Sequence, residues 1–145
     1  MAQASAQAAL GELMRVHLGP RLRALGFKGS GASWTRDRAG FLVCLGVQRS
    51  VYGDRGVSEF TVNVTAVSID AWKALRGERP YLPARPAANT RYGPVVWQRR
   101  IGLLMPEGLD RWWTITSTSD LPALAEDVAD AIAEHVLPAI EGATT

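Results

Sequence analysis

The sequence contains one cysteine and two histidines, and this scarcity excludes several kinds of site. Cys44 has no second cysteine with which to form an internal disulfide, and its place inside an apolar run is typical of a reducing compartment. With only His17 and His135 beside that thiol, a zinc cluster with several thiolate ligands is excluded. No metal or cofactor motif is present either, so we expect neither a metal nor a cofactor.

Long apolar runs are also lacking. No stretch of about 18 apolar residues occurs, so we expect no membrane-spanning segment and no membrane partner. The first ten residues are small and uncharged, unlike the basic start and apolar stretch of a secretory signal. A chain of 145 residues is long enough for a single core. These features predict a cytoplasmic protein with one domain over residues 1–145.

Lysine is scarce as well, because arginine supplies 14 of the 16 basic residues. Either a GC-rich genome or selection for phosphate binding would account for that preference. The charge is unevenly distributed: residues 1–106 carry a net charge of +9, whereas residues 107–145 carry −7. Such asymmetry can orient a partner or pair two copies of the chain, so homodimerisation stays open.

Two segments have the periodicity of amphipathic helices. Leucines recur at three- and four-residue spacing up to Leu25, with an expected kink or restart at Gly19-Pro20. A second helix is predicted over Ser119–Glu141, with Leu137-Pro138 kinking or fraying its last turn. Ser68 can cap a short helix that reaches Leu75.

Apolar residues alternate between these helices, which predicts strands. Ser33–Arg38 and Phe41–Ser50 are joined by Ala39-Gly40, the spacing of a tight hairpin. Ser58–Val67 is the third strand, with Phe60, Val62, Val64 and Ala66 inward and Thr61, Asn63 and Thr65 outward. Val95–Met105 and Asp110–Thr116 read as a second strand pair around the Pro106-Glu107-Gly108 turn.

The segment 76–94 has no clear period. It holds four prolines, four arginines and two tyrosines, and so irregular a stretch inside a compact domain is usually functional or mobile. Arginines bind phosphates and tyrosines stack on bases, so this Arg- and Pro-rich loop could bind nucleic acid. It carries no recognised nucleic-acid motif, and the last third of the chain is acidic, so nucleic acid ranks last among the partners.

The order of elements predicts an α+β fold: one antiparallel sheet of about five strands with the N- and C-terminal helices on one face. The other sheet face is then partly open. Strand phase places amides, an arginine and an indole there, a mixture suited to a polar or anionic ligand and equally found on an ordinary solvated sheet face. The candidate binding residues are Gln48, Ser50, Asn63, Arg100, Asp110 and Trp112.

Catalysis has little support in the sequence. Both histidines lie on apolar helix stripes, where packing is the usual role, and Ser50 has no evident base. Asp110 has no carboxylate partner at a suggestive spacing. Arg99 and Arg100 are adjacent, so in a strand they point to opposite faces and do not form a two-pronged clamp.

Six short fragments resemble a known family, domain of unknown function 4304, in the family's order and across nearly the whole chain. The chain departs from the family pattern at Gly46-Val47, before the glutamine, and in its longer middle loop. The resemblance implies a small bacterial α+β domain and carries over no activity, but it draws attention to Gln48, Ser50, Asn63 and Arg100. The fragments are Gly26-Phe27, Trp34-x-Arg36, Gln48-x-Ser50, Phe60-Thr61-Val62-Asn63, Arg100-Ile101-Gly102 and Asp110-x-Trp112-Trp113.

Three functions remain open at this point. The leading hypothesis is a non-catalytic binding module that uses the open sheet face to recognise a protein or a small polar ligand. The alternative is an enzyme of unassigned type with Arg100 and Asp110 in its site. Nucleic-acid binding through the Arg-rich loop is the third.

Overall fold

The computed structural model describes residues 5–145 as helices and strands in the predicted α+β arrangement. None of the helices in this part of the chain is long and apolar enough to cross a membrane. The helices are α1 (Ala6–Glu12), α2 (Gly19–Ala24), α3 (Ile69–Glu78), α4 (Ile101–Leu104), α5 (Leu121–Ala131) and α6 (Leu137–Ala143). The strands are β1 (Lys28–Ser30), β2 (Ser33–Thr35), β3 (Phe41–Arg49), β4 (Val57–Ser68), β5 (Trp97–Arg100) and β6 (Trp113–Thr116).

Both long helices pass through a π-helical turn just before a proline. One turn, Leu13–Leu18, joins α1 to α2, and the other, Ile132–Val136, joins α5 to α6. The restart predicted at Gly19-Pro20 thus takes the form of a wider turn. At Leu137-Pro138, where the sequence predicts a kink or fraying, the helix does not fray: it continues as α6 to Ala143, with Pro138 in the first turn after the π-helical turn.

The sheet is antiparallel, with strand order β1-β2-β3-β4-β5 and β6 also paired with β4. The predicted β2–β3 hairpin is confirmed. Ala39 and Gly40 occupy its tip with φ of 49° and 80°, the backbone that a two-residue hairpin turn requires. The short strand β1, which the sequence reading missed, adds to the outer edge of β2.

The last two strands do not form the predicted pair with each other. Both lie along the same edge of β4, where β5 pairs with Asn63–Ala66 and β6 pairs with Val57–Phe60. The predicted strand through Met105 is also too long, because the chain turns into α4 directly after Arg100. Residues 101–112 therefore form an excursion from the sheet edge, and the edge of β4 is interrupted between β5 and β6.

The main core lies between one sheet face and the terminal helices. Strand phase is confirmed here, since Phe60, Val62, Val64 and Ala66 of β4 all belong to this core. Trp113 and Ile115 join it from β6 as expected, and Val128 joins it from α5. Trp113 stacks on Phe60 with ring centroids 5.8 Å apart.

The second sheet face is covered more than the sequence predicts. Helix α3 extends to Glu78, so the irregular segment, here called the covering loop, comprises residues 79–96. It packs on the sheet with α3 to form a second apolar cluster of Leu42, Val67, Trp72, Leu75, Leu82, Tyr92 and Val96. Thr61 and Thr65 point away from the helices yet are fully buried. Only part of this face remains open, at the end of the sheet near Gln48 and Asn63.

Candidate functional site

The open part of the second face lies beside the interruption between β5 and β6. Arg100 is the last residue before the excursion, and Asp110 and Trp112 are among the last residues of its return. Asn63 pairs with Arg100 across the β4–β5 ladder, and Gly46 of β3 is the partner of Asn63 on the other side. The sheet therefore holds one end of the site, and the excursion holds the other.

Gly102 determines how closely the excursion returns. A Cβ atom at Gly102 would collide with the carbonyl oxygen of Leu109 and the amide nitrogen of Arg111, and it would lie 2.9 Å from the Cβ of Arg111. The absence of a side chain lets these two backbone segments touch. That contact, together with the bond from the Thr61 hydroxyl to the Arg111 carbonyl at 2.6 Å, fixes Asp110 next to Arg100.

Arg100 is held by three neighbouring groups. Its Nη1 donates to Asp110 Oδ2 at 3.0 Å, its Nε donates to Asn63 Oδ1 at 3.3 Å, and its Nη2 donates to Gln48 Oε1 at 3.4 Å. The guanidinium carbon also lies 5.1 Å from the centroid of the Trp112 ring. Trp112 in turn donates its indole hydrogen to the same Asp110 oxygen at 2.8 Å. The side chain of Arg100 is 26% exposed, so the group is fixed but reachable from solvent.

Asn63 is the centre of the amide part of the site. Its Nδ2 donates to Gln48 Oε1 at 2.7 Å and to Asn89 Oδ1 at 2.8 Å. This orientation follows from chemistry, because Arg100 can only donate and so must face the Asn63 oxygen. The amide nitrogen of Asn63 then faces Gln48 and Asn89, whose oxygens must turn toward it. Together the residues Gln48, Asn63, Asn89, Arg100, Asp110 and Trp112 form one connected network, here called the polar cluster.

The covering loop reaches the polar cluster because β3 contains a glycine. A Cβ at Gly46 would collide with Asn89 Oδ1 and would lie 3.1 Å from the Cβ of Ala88. Asn89 also donates from Nδ2 to the Val47 carbonyl at 3.2 Å. Gly46, where the chain departs from the expected family pattern, thus leaves the space that the Asn89 side chain occupies.

An ion pair anchors the same loop at a second point. Arg85 donates to both carboxylate oxygens of Asp37, at 2.6 and 2.9 Å. These bonds from Arg85 lower the pKa of Asp37, against the opposing effect of partial burial. Between the two anchors, Cys44 donates from Sγ to the Pro86 carbonyl at 3.4 Å, and burial raises the pKa of this thiol to about 11. Cys44 is therefore a packing residue rather than a nucleophile at neutral pH.

The structure brings five of the six candidate residues together in the polar cluster. Ser50, the sixth, lies at the end of β3, where its hydroxyl accepts the amide hydrogen of Tyr52 at 3.1 Å. It lines a neighbouring depression of about 360 Å³, shared with Gln48, Tyr52, Glu59 and Trp112. Ser50 is thus beside the network but makes no bond to it among the described residues.

Two residues near the cluster were missed by sequence reasoning. Asn89 and Arg91 come from the covering loop, where no periodicity places them. Gly46 inside a strand was the one available signal, because such a glycine often marks a close approach of another segment. Gln98 of β5 holds the covering loop: it accepts the amide hydrogen of Tyr92 and donates to the Thr65 hydroxyl and the Thr90 carbonyl.

A cavity of about 160 Å³ adjoins the polar cluster. Arg99 and Arg100 both contribute to its lining. Adjacent strand residues point to opposite faces, but β5 lies at the sheet edge, where side chains from both faces can reach the same cavity. Arg99 donates from Nη1 to the Gln98 carbonyl at 2.8 Å, and its guanidinium carbon lies 5.2 Å from the centroid of the Trp97 ring. No group of three or more histidine, cysteine or acidic side chains within residues 5–145 is arranged to hold a metal ion.

The positions of these residues along the chain agree with a family comparison. Residues 18–142 match the family described as Domain of unknown function (DUF4304). The chain belongs to the DUF4304 family. That match covers nearly the whole chain, so the predicted resemblance is confirmed, and it includes every residue of the polar cluster. None of the curated proteins and none of the solved structures matches the chain.

Proposed function

We propose that this DUF4304 chain is a non-catalytic binding module that recognises its ligand or protein partner at the polar cluster. The observation that supports the proposal is the fixed position of Arg100. Three hydrogen-bond partners and an aromatic ring hold a guanidinium that still reaches solvent. A side chain fixed before binding loses little further conformational entropy when a ligand arrives, which favours affinity.

The polar cluster also draws residues from more segments of the chain than the solvated face of an ordinary sheet does. Cross-strand pairs on such a face join neighbouring strands, as Asn63 and Gln48 do here. The cluster, however, also recruits Asn89 from the covering loop and Asp110 and Trp112 from the excursion. Glycines at two close contacts, Gly46 and Gly102, make both approaches feasible. A purely structural strand pair needs neither.

The enzyme alternative, with Arg100 and Asp110 in the site, has less support from the geometry. Asp110 already accepts hydrogen bonds from Arg100 and from Trp112 on one oxygen. The Ser50 hydroxyl is engaged in a turn, and both histidines lie on the terminal helices rather than near the cluster. A general base in contact with a nucleophile is the arrangement that would favour the enzyme.

The covering loop uses most of its arginines internally, which weakens the nucleic-acid hypothesis. Arg79 donates to the Tyr92 carbonyl and Arg85 pairs with Asp37, while Arg76, in the preceding helix α3, donates to the Leu82 carbonyl. Tyr92 is buried. Arg91 and Tyr81 are left as the exposed cationic and aromatic groups of this segment.

The proposal includes a cellular setting. We place the module in a bacterial cytoplasm, as the single buried cysteine and the family resemblance suggest. Homodimerisation through an exposed sheet edge is compatible with this function but is not required by it.

The test is a comparison of what variants retain from host lysate. The tagged chain, an Asn63→Ala/Arg100→Ala double variant and an Arg21→Ala control are incubated with lysate, with and without nuclease, and native mass spectrometry identifies what stays bound. Arg21 is exposed on α2, away from the cluster, so its loss matches the change in charge. We expect nuclease-resistant retention by the unchanged chain and the control, and loss from the double variant.

Other outcomes assign the other functions. Equal retention by all three proteins would exclude the polar cluster as the site. Retention that disappears with nuclease would favour nucleic-acid binding, and a bound small molecule whose mass changes during incubation would favour an enzyme.

A further inference from the structure

The cavity beside the polar cluster is lined by donors of hydrogen bonds and carries positive charge. Its lining includes Arg91, Arg100, Gln48, Asn63 and Asn89, with no aspartate or glutamate among the lining residues. Arg91 is exposed and forms no ion pair within residues 5–145. Three arginines thus line one small cavity: Arg100 is paired with Asp110, which lies outside the lining, Arg99 donates to the Gln98 carbonyl, and Arg91 has no acidic partner among the described residues.

The hydrogen-bond network leaves several donors free at this cavity. The side-chain oxygens of Gln48, Asn63 and Asn89 each accept a bond within the cluster. Gln48 Nε2 has no partner among the described residues, and two of the five N–H groups of Arg100 are left over. A set of unused N–H groups with positive charge is complementary to an anion and not to a cation.

The size of the cavity limits what can enter it. A volume of about 160 Å³ is well below the range of roughly 300–1,000 Å³ that is typical of sites for whole drug-sized ligands. It suits a single anionic group. The depression of about 360 Å³ on the other side of Gln48, where Trp112 and the 93%-exposed Tyr52 provide aromatic surface, can take the rest of the molecule.

We propose that the cavity between Arg91 and Arg100 binds the oxyanion of a small ligand, a phosphate or a carboxylate, whose apolar or planar remainder lies toward Trp112. This inference depends on the proposed function, because it assigns a ligand class to the same polar cluster. The planar fork of Arg100 suits the two oxygens that both groups present. The adjoining indole then favours a planar body over a purely hydrophilic one.

Titration calorimetry with defined probes tests this ligand class. The probes are inorganic phosphate, phenyl phosphate and benzoate, with phenol as the uncharged analogue. We expect phenyl phosphate to bind more tightly than inorganic phosphate, and phenol not to bind. The relative affinities of phenyl phosphate and benzoate show which oxyanion the cavity prefers.

Variants separate the cavity from general attraction to a basic surface. Arg91→Ala removes an exposed side chain that makes no bond within residues 5–145, so we expect the variant to fold normally and to bind phenyl phosphate at least about tenfold more weakly. Arg100→Lys keeps the charge but loses the fork, and a similar loss is expected. The Arg21→Ala control should bind as the unchanged chain does.

Two results would overturn the inference. One is no binding of any anionic probe to the unchanged chain, and the other is binding that neither Arg91→Ala nor Arg100→Lys weakens. If the lysate experiment still shows an uncharged ligand lost from the Asn63→Ala/Arg100→Ala variant, the oxyanion class fails while the binding module stands. If the double variant retains the same material from lysate as the unchanged chain does, the proposed function fails as well.

Discussion

Replacing Gly102 by alanine tests whether a close backbone contact builds the site. A Cβ at this position would collide with the Leu109 carbonyl and the Arg111 amide, which are backbone atoms and cannot rotate away. Overpacking of this kind costs about 1–3 kcal/mol. If the returning segment shifts, the bond from the Thr61 hydroxyl to the Arg111 carbonyl is also lost, worth about 1 kcal/mol, and the half-exposed Arg100–Asp110 pair adds about 1 kcal/mol or less. We expect a total loss of about 2–5 kcal/mol.

Urea denaturation followed by fluorescence measures this loss, and Gly77→Ala is its matched control. Gly77 lies on the exposed side of α3, and a Cβ there meets nothing within 4 Å. Alanine inside a helix is favoured over glycine by about 0.5–1 kcal/mol, so the control should become more stable. The same substitution should thus act in opposite directions at the two sites. If Gly102→Ala is as stable as the unchanged chain, the contact does not hold the excursion.

Three further predictions test the loop anchor, the buried thiol and the strand phase. Arg85→Ala should lower the free energy of unfolding by about 1 kcal/mol or less in urea denaturation at neutral pH, since the Arg85–Asp37 pair is half exposed. Because folding lowers the pKa of Asp37, the difference in stability between the variant and the unchanged chain should vanish as the pH falls through that pKa. A difference that persists in acid would contradict this. Cys44, with its pKa raised to about 11, should resist iodoacetamide at about pH 8 until the protein unfolds; rapid alkylation of folded protein, seen by mass spectrometry, would refute its burial. Trp113→Ala should lower the free energy of unfolding by about 3–5 kcal/mol and Trp112→Ala by about 1 kcal/mol, whereas equal losses would show that the faces are misassigned.

Strand phase could be predicted because the alternation in the sequence is strong. In β4 every second residue from Phe60 is apolar, so the opposite face, with Asn63, follows directly. The same alternation in β3 places Gln48 on that face, and Trp113 in the core leaves Trp112 outside. The sequence therefore indicated which side chains share a face before any tertiary contact was known.

The course of the covering loop could not be predicted in this way. Its position depends on contacts between segments far apart in the chain, such as Asn89 over Gly46 and Arg85 on Asp37. Neither contact leaves a period in the sequence, since single residues rather than repeating faces make it. The burial of Thr61 and Thr65 under neighbouring segments was missed for the same reason.

The interruption of the sheet edge was also beyond pattern reasoning. Residues Val95–Met105 contain enough apolar and β-branched side chains to favour a strand, yet the chain leaves β5 after Arg100. The packing of Gly102 against Leu109 and Arg111 overrides that local preference. Because the interruption places Arg100 beside Asp110, the feature that propensity missed is the one that assembles the candidate site.

The most direct test of the site is the position of the bound probe. The indole N–H signals of the five tryptophans in a ¹H–¹⁵N spectrum report on separate parts of the chain during titration with phenyl phosphate. Trp112 contacts Asp110 and Arg100, whereas Trp34, Trp72 and Trp113 are buried elsewhere. We predict a saturable shift of the Trp112 signal while those three stay in place. A saturable shift confined to another tryptophan, or no shift at all, would contradict the assignment of the cavity beside the polar cluster as an oxyanion site.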